Sequence, residues 1–423
     1  MKKRWIPFIA IAVLVPLLLW FAFRKDPKET ERRDDAAPSD TDAPTATVSA
    51  AASAKGLVDA GPKKPSGPDE WFDAGPSICR IVFGPHQEAL TGPAALIADG
   101  TTLSVTVQEN GKPRTRKEVI EPLKTAKTSG KFSLKGEGVK TSRPACAGAG
   151  GHLFCADHQG GVHRMKIGET SGPEVAKGDP GARVDAHVMP GTNQIVLGTL
   201  ATKQTSEGRL SEAYVTLENG TPVRLSEDAN GATDLVLVPR GKKLVGITMD
   251  ARRAMSPVHA REISLEDGKL TLGADAVVYV GGGADQHIYI AAASDARGQT
   301  YAFVPAERDG KFGLATIEIS SPPDIDESFK FADYPNGINM APIAAASGGK
   351  FVYVARVIPV TKDVDSVHAL ELGRVERGEF KSLGSISSNG SVSYVTMTLD
   401  AEGAVWLYYT DTAGSWLERR ACP

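Results

Sequence analysis

Ala94-Ala95-Leu96-Ile97-Ala98-Asp99-Gly100-Thr101-Thr102-Leu103 reads as a short apolar run, a glycine turn and the start of a second apolar run. Apolar stretches flanking Asp-Gly are hairpin chemistry, because glycine supplies the positive φ that a tight two-strand turn needs. The same grammar returns before Leu153, Ile195, Leu244, Ile288, Phe351 and Val405. Its turns are Gly148-Ala149-Gly150-Gly151, Pro190-Gly191-Thr192-Asn193, Pro239-Arg240-Gly241-Lys242, Gly281-Gly282-Gly283-Ala284, Ser347-Gly348-Gly349-Lys350 and Asp400-Ala401-Glu402-Gly403. The second-strand starts lie 42 to 63 residues apart. Amphipathic helical periods are scarce. Strand-like runs such as Val277-Val278-Tyr279-Val280, Ile288-Tyr289-Ile290 and Phe351-Val352-Tyr353-Val354 recur, so an all-β chain is expected.

A strand-and-turn unit repeated about every 50 residues predicts a β-propeller, here over residues 76–423 with seven blades. A further turn joins the third and fourth strands of a unit, as in Glu218-Asn219-Gly220, Glu266-Asp267-Gly268, Arg308-Asp309-Gly310 and Glu376-Arg377-Gly378. The seventh unit is one strand short: Tyr394–Leu399, Ala404–Tyr409 and Trp416–Ala421 precede the last residue, Pro423. Ile78–Phe83 is left over before the first unit. Pairing it with Trp416–Ala421 completes the last blade and removes exposed sheet edges. Six blades and an irregular segment is the competing reading.

The four cysteines fit that closure. Cys79 lies in the closing strand and Cys422 at the end of its proposed partner, while Cys146 and Cys155 flank one predicted hairpin turn. Cys79–Cys422 and Cys146–Cys155 are therefore the expected bridges among three connectivities, and two bridges point to an oxidising compartment. No Cys-x-x-Cys pair calls for zinc.

Composition bounds the rest. With 423 residues, 41% hydrophobic, 23% charged and a net charge of −3, the chain is ordinary for a globular body and lacks the basic excess that nucleic-acid binding needs. Residues 1–4 form a basic flank. Trp5–Phe23 holds 19 residues without a charge, about 28 Å as a helix and close to a bilayer's hydrocarbon thickness. The run is long for a cleavable signal, and Phe21-Ala22-Phe23 is a poor cleavage site. An uncleaved signal anchor through the inner membrane is expected, with a cleaved signal peptide as the alternative. Residues 24–75, rich in Ala, Pro, Asp, Ser, Thr and Lys, read as a disordered linker. Basic residues flank the anchor on both sides, so orientation rests on the cysteines and on the export-like N-terminus. They place the large domain in the periplasm of a bacterium as a single-pass protein.

Candidate sites are sparse. Val162-His163, Val258-His259 and Val367-His368 recur in predicted third strands, where other units carry Tyr214, Tyr301 and Trp416. A ring at one repeat position is what packing between blades would produce. His152, Asp157, His158 and His163 cluster without a diagnostic metal spacing. Asp295-Ala296-Arg297-Gly298 and Asp411-Thr412-Ala413-Gly414 are turns whose aspartates can accept local backbone bonds. The run Arg252-Arg253-Ala254-Met255-Ser256-Pro257 reads as a protruding basic loop. The insert Ser321–Tyr334 carries Asp324, Asp326, Phe329, Phe331 and Tyr334 and is the preferred binding loop, with Pro359–Asp365 a weaker one. No Gly-x-Ser-x-Gly elbow, phosphate loop, His-Glu-x-x-His or Gly-x-Gly-x-x-Gly is present, and no cofactor is expected.

The repeat resembles the β-propeller class, best known from WD40 and kelch-like proteins. The resemblance is architectural. The Trp-Asp and Gly-His signatures of WD40, the double-Gly pattern of kelch and the tryptophan-docking motifs of quinoprotein propellers are missing. The aspartate turns depart from the Asp box of sialidase-like propellers, since Asp and Gly are three apart rather than two. No functional residue carries over. Recognition platforms are common in this class, so a membrane-anchored binding or scaffold module for a protein or envelope partner is favoured. The alternative is a hydrolase or lyase on envelope glycans with its site in the central channel.

Overall fold

The computed structural model describes residues 77–124, 145–180, 182–205, 208–225, 231–250, 257–280, 289–324, 329–333, 342–348, 350–359, 368–386 and 391–423. These residues contain no helix, and so none long and apolar enough to cross a membrane. The expected anchor Trp5–Phe23 and linker 24–75 lie outside them. The strands form seven antiparallel sheets, the blades of a β-propeller.

β1 (Arg80–Glu88) belongs to the last blade. Blade one is β2 (Ala94–Asp99), β3 (Thr102–Glu109) and β4 (Lys112–Val119). Blade two is β5 (Cys146–Ala149), β6 (His152–Ala156), β7 (Gly161–Lys166) and β8 (Glu174–Lys177). Blade three is β9 (Val184–Val188), β10 (Ile195–Thr205), β11 (Gly208–Leu217) and β12 (Val223–Arg224). Blade four is β13 (Ala232–Arg240), β14 (Lys243–Asp250), β15 (Pro257–Glu266), β16 (Lys269–Leu272) and β17 (Ala276–Val280). Blade five is β18 (Ala291–Ser294), β19 (Thr300–Arg308), β20 (Lys311–Ile319) and β21 (Lys330–Asp333). Blade six is β22 (Ile343–Gly348), β23 (Phe351–Pro359), β24 (His368–Glu376) and β25 (Glu379–Ile386). Blade seven is β26 (Tyr394–Leu399), β27 (Val405–Asp411), β28 (Gly414–Ala421) and β1.

The inner strands β2, β5, β9, β13, β18, β22 and β26 each contact the next, and β26 returns to β2. That cycle closes the ring. β1 pairs antiparallel with β28 from Arg80↔Ala421 to Glu88↔Ser415, and Cys79–Cys422 fastens the two ends across a sequence separation of 343 residues. Cys146–Cys155 links directly opposed residues of β5 and β6. Both bridges and the pairing of the first strand with the last are as the sequence predicts, but the closing strand runs from Arg80 to Glu88 rather than from Ile78 to Phe83, because the Ile78 N–H is taken by the Leu383 carbonyl of blade six.

Blade seven is also locked from within. Trp406, Tyr408, Tyr409 and Trp416 are fully buried in β27 and β28, each contributing on the order of 4 kcal/mol of hydrophobic burial. Asp400 Oδ2 accepts the Trp406 indole N–H at 3.0 Å and Arg419 Nε at 2.7 Å. Arg419, 1% exposed, also donates to the Glu121 carbonyl beyond blade one. Tyr408 donates to the Leu90 and Gly92 carbonyls, so the last blade holds the entry to the first.

Blade five corrects the sequence reading. Val277–Val280 is expected as its inner strand, with Gly281–Ala284 as the hairpin turn. Instead β17 pairs with β15 and continues the outer edge of blade four past Gly273. Val278 and Tyr279 bury against Ile290, Ala302, Val304 and Ile317 of the next blade. An apolar run followed by glycines carries the same local signal in either role, and this interblade packing decides it. The inner strand of blade five is β18, turning at Asp295–Gly298. Tyr301 consequently lies in a second strand rather than a third, and Arg308-Asp309-Gly310 joins second and third strands.

Candidate functional site

The inner strands of blades three to seven enclose a central cavity of about 430 Å³. Its wall is largely small and apolar, from Ala291, Ala292, Ala293, Ala344, Ala345 and Ala346, with the threonines of β26. Arg183, Asp185, His187 and Tyr289 bring polarity to it. These groups serve the ring. Asp185 Oδ2 accepts the backbone N–H of Leu237 in blade four at 2.7 Å, and Oδ1 that of Ala186 at 2.9 Å. Asp234, wholly buried, accepts the N–H groups of Ile290 in blade five and of Leu235 at 3.0 Å each. Arg183 donates to Asp234 at 3.1 Å and to the Ile290 carbonyl at 3.2 Å. Each aspartate thus bonds a backbone group of the next blade, as buried polar groups must. His187 Nε2 stands 3.6 Å from Asp185 Oδ1. Burial pushes the Tyr394 hydroxyl, which donates to the Ala94 carbonyl, well above its usual range. Glycan hydrolases of the usual kind use one carboxylic acid to protonate the leaving group and a second carboxylate as nucleophile or as base toward water, whereas Asp185 and Asp234 accept interblade backbone bonds.

A second crevice, about 250 Å³, lies between blades one and two, lined by Asn110, Lys112, Asp157, His158, His163 and Met165 among others. Asp157 Oδ1 accepts the N–H groups of Gln159 and Gly161, and Oδ2 lies 3.0 Å from His163 Nε2. His163 Nδ1 is 3.0 Å from the Gly172 carbonyl. Burial opposes charging the ring, but these two acceptors outweigh it and raise the His163 pKa. Burial likewise works to raise the Asp157 pKa, and the bonds from His163, Gln159 and Gly161 bring it below the usual value. Asp295, Asp400 and Asp411 make the same backbone-capping turn. The sequence names this role for Asp295 and Asp411 and misses Asp157 and Asp400. Among the described residues no group of three His, Cys, Asp or Glu side chains is placed to hold a metal ion.

The third crevice, about 730 Å³, opens between blades five and six. Arg297 comes from the β18–β19 turn, Lys350 precedes β23, and Arg374 and Arg377 come from β24 and the turn after it. Phe351, half-buried, has the Arg374 guanidinium carbon 4.4 Å and the Lys350 ammonium 5.1 Å from its ring centroid. Two carboxylates lie in the walls, and both are taken. Arg297 grips Asp295 at 2.9 and 2.7 Å, and Arg374 Nε donates to Glu376 at 2.6 Å. Burial works against the charge of Asp295, but the Arg297 guanidinium and the turn N–H groups hold its pKa below the usual carboxylate value.

Of the binding loops read from sequence, Arg252, Arg253, Met255, Asp326 and Tyr334 lie outside the described residues. Asp324 is exposed. Phe329 and Phe331 pack against the core of blades four and five, with Phe329 edge-on to Tyr279 at 4.9 Å. Both rings are thus partly taken up in blade packing, and Arg308 lies over that of Phe329. Lys330–Asp333 is the outer strand β21 rather than part of a projecting loop, because its backbone pairs with β20. The crevice cations were not singled out in sequence, since they come from separate turns. One local signal was available: arginine in the Glu-Arg-Gly turn at Arg377, where Glu218-Asn219-Gly220 and Glu266-Asp267-Gly268 carry Asn and Asp.

The chain matches no protein-family model, and no match is found among curated proteins. Solved structures resemble it in fold. The β-propeller domain of Cps50 (Swd1) from Myceliophteria thermophila has 12% identity and a TM-score of 0.47, covering 80% of this chain and 99% of that one. The WD40 β-propeller domain of Doa1 has 10% identity and a TM-score of 0.43, covering 80% and 95%. The Aleuria aurantia lectin, solved with a fucosylated N-acetylglucosamine, has 12% identity and a TM-score of 0.40, covering 78% and 93%. At these identities and TM-scores the likenesses carry no argument about this chain.

Proposed function

We propose that the protein is a membrane-anchored, extracytoplasmic recognition module that presents its propeller to a protein or envelope partner. Trp5–Phe23 would hold it in the inner membrane, and residues 24–75 would space the propeller from the lipid. The observation that carries the binding role is a contrast between concavities. In the central cavity Asp185 spends both oxygens on backbone N–H groups and Asp234 ties blades three, four and five together. In the crevice between blades five and six, Lys350 and Arg377 have no carboxylate within ion-pair distance among the described residues. Free charge on a rigid surface supports recognition, and committed carboxylates do not support acid–base chemistry. The two disulfides support an oxidising location for the propeller.

Fractionation and protease access test this reading. The full-length protein should sediment with inner membranes and be digested when protease is added to spheroplasts. A variant lacking residues 1–23 should no longer sediment. Protection of the propeller in intact spheroplasts would overturn the proposed topology, and glycan cleavage abolished by Asp185→Asn would favour an enzyme in the channel.

A further inference from the structure

The crevice between blades five and six rests on the recognition reading and gives it a partner chemistry. Two of its cations, Lys350 and Arg377, are exposed and lack a carboxylate within 4 Å among the described residues, although Lys350 lies over the Phe351 ring and Arg377 acts at longer range on Glu379. Arg377 stands out for a separate reason. It has φ of 54°, in the left-handed region, and Gly378 follows it. The same place before glycine in four other hairpins, also at positive φ, is held by Asn110, Asn219, Asp267 and Asp309. Asn and Asp tolerate that conformation, whereas a longer side chain is strained in it. An arginine at such a position is a backbone cost that asparagine would avoid, and strain of this kind collects at functional places. Here it sets an exposed cation in the lining of the crevice.

We propose that this crevice binds an acidic peptide segment of a partner protein, with Lys350, Arg377 and the exposed edge of Arg297 receiving its carboxylates. Chain charge sharpens the contrast, because a cationic groove stands on a protein of net charge −3. Peptide is favoured over glycan by the aromatic ring that lines the crevice. A sugar ring would stack on an open aromatic face, but Phe351 already has Arg374 and Lys350 against its ring. Recognition then falls to ion pairs and hydrogen bonds from cations on separate turns, which suits carboxylates carried on successive side chains.

Fluorescence anisotropy of the full-length protein in detergent, with labelled oligoglutamate as the probe, tests the proposal. Binding should weaken as salt rises. Arg377→Asn should lower affinity about tenfold, the loss of one charge-assisted contact, and Lys350→Glu should lower it further. Arg377→Asn should leave the unfolding midpoint unchanged or raised, so lost binding cannot be assigned to misfolding. Binding that is absent, or unaltered in both variants, overturns the site. Tighter binding of labelled oligogalacturonate than of oligoglutamate overturns the peptide class in favour of an acidic glycan. Failure here with protease access from the periplasm intact removes the crevice and leaves the recognition module. Protection from protease removes that module's proposed location while a positive anisotropy result retains the site.

Discussion

Replacing Cys79 and Cys422 together with alanine should cost more stability than any comparable pair of buried-cysteine changes in this chain. The reason is the separation they span. In the chain-entropy relation, a bridge closing 343 residues restricts the unfolded chain by about 6 kcal/mol, against about 3 kcal/mol for the nine-residue separation of Cys146–Cys155. Unfolding entropy of about 2.1 cal/mol/K per residue, taken over the about 350 residues of the propeller, sets roughly 0.7 kcal/mol per degree. Cys79→Ala with Cys422→Ala should therefore lower Tm by about 8 °C, and Cys146→Ala with Cys155→Ala by about 4 °C. Differential scanning calorimetry of the full-length protein and both double variants, without reductant, reads this directly. The cysteines concerned are similarly buried at 2–4%, apart from half-exposed Cys422, so lost packing does not explain a larger effect of the terminal pair. Equal shifts, a reversed order, or a terminal pair whose loss moves Tm by less than about 2 °C would refute the reasoning.

Asp400→Ala strips the buried Arg419 guanidinium and the Trp406 indole of their shared acceptor, and should cost about 3–5 kcal/mol, or roughly 4–7 °C in Tm; a loss under about 1 kcal/mol would show that blade seven does not depend on this contact. The His163–Asp157 pair should make stability depend on pH. His163 has a raised folded pKa, so its contribution is fully present below about pH 6.5 and is lost as pH rises through the folded value. Asp157 has a lowered one, so its share is present above about pH 3.9 and is lost as pH falls through the folded value. The Tm gap between wild type and His163→Gln should thus be wider near pH 6 than near pH 9, and a gap that grows with pH would reverse the assignment. Arg377→Asn relieves the left-handed strain and should stabilise by about 1 kcal/mol in thermal melts; destabilisation of similar size would mean that the arginine side chain holds the turn.

The parts of this architecture that were legible in the sequence are those written locally or at the ends of the chain. Asp99-Gly100, Gly191 and Gly241 announce their hairpins because positive φ has few tenants. The spare strand near Cys79 and the fourth strand that the seventh unit lacks imply one another by counting. Blade five is ambiguous in sequence because Val277–Val280 and its trailing glycines suit an inner hairpin and an outer edge alike. Only packing of Val278 and Tyr279 against blade five distinguishes them. The crevice was hidden for another reason. Arg297, Lys350 and Arg377 are far apart along the chain and meet only because neighbouring blades place their turns side by side. Nothing in the local sequence marks Asp185 and Asp234 as structural, because the backbone N–H groups of Leu237 and Ile290 that they bind come from other blades.

Peptide mapping under non-reducing conditions, on the alkylated full-length protein, bears most directly on the closed ring. The fold described requires Cys79 and Cys422 in one linked peptide pair, Cys146 and Cys155 in the other, and no alkylated cysteine. Alkylated Cys79 and Cys422, or either of them joined to Cys146 or Cys155, would contradict a propeller fastened by its own first and last strands.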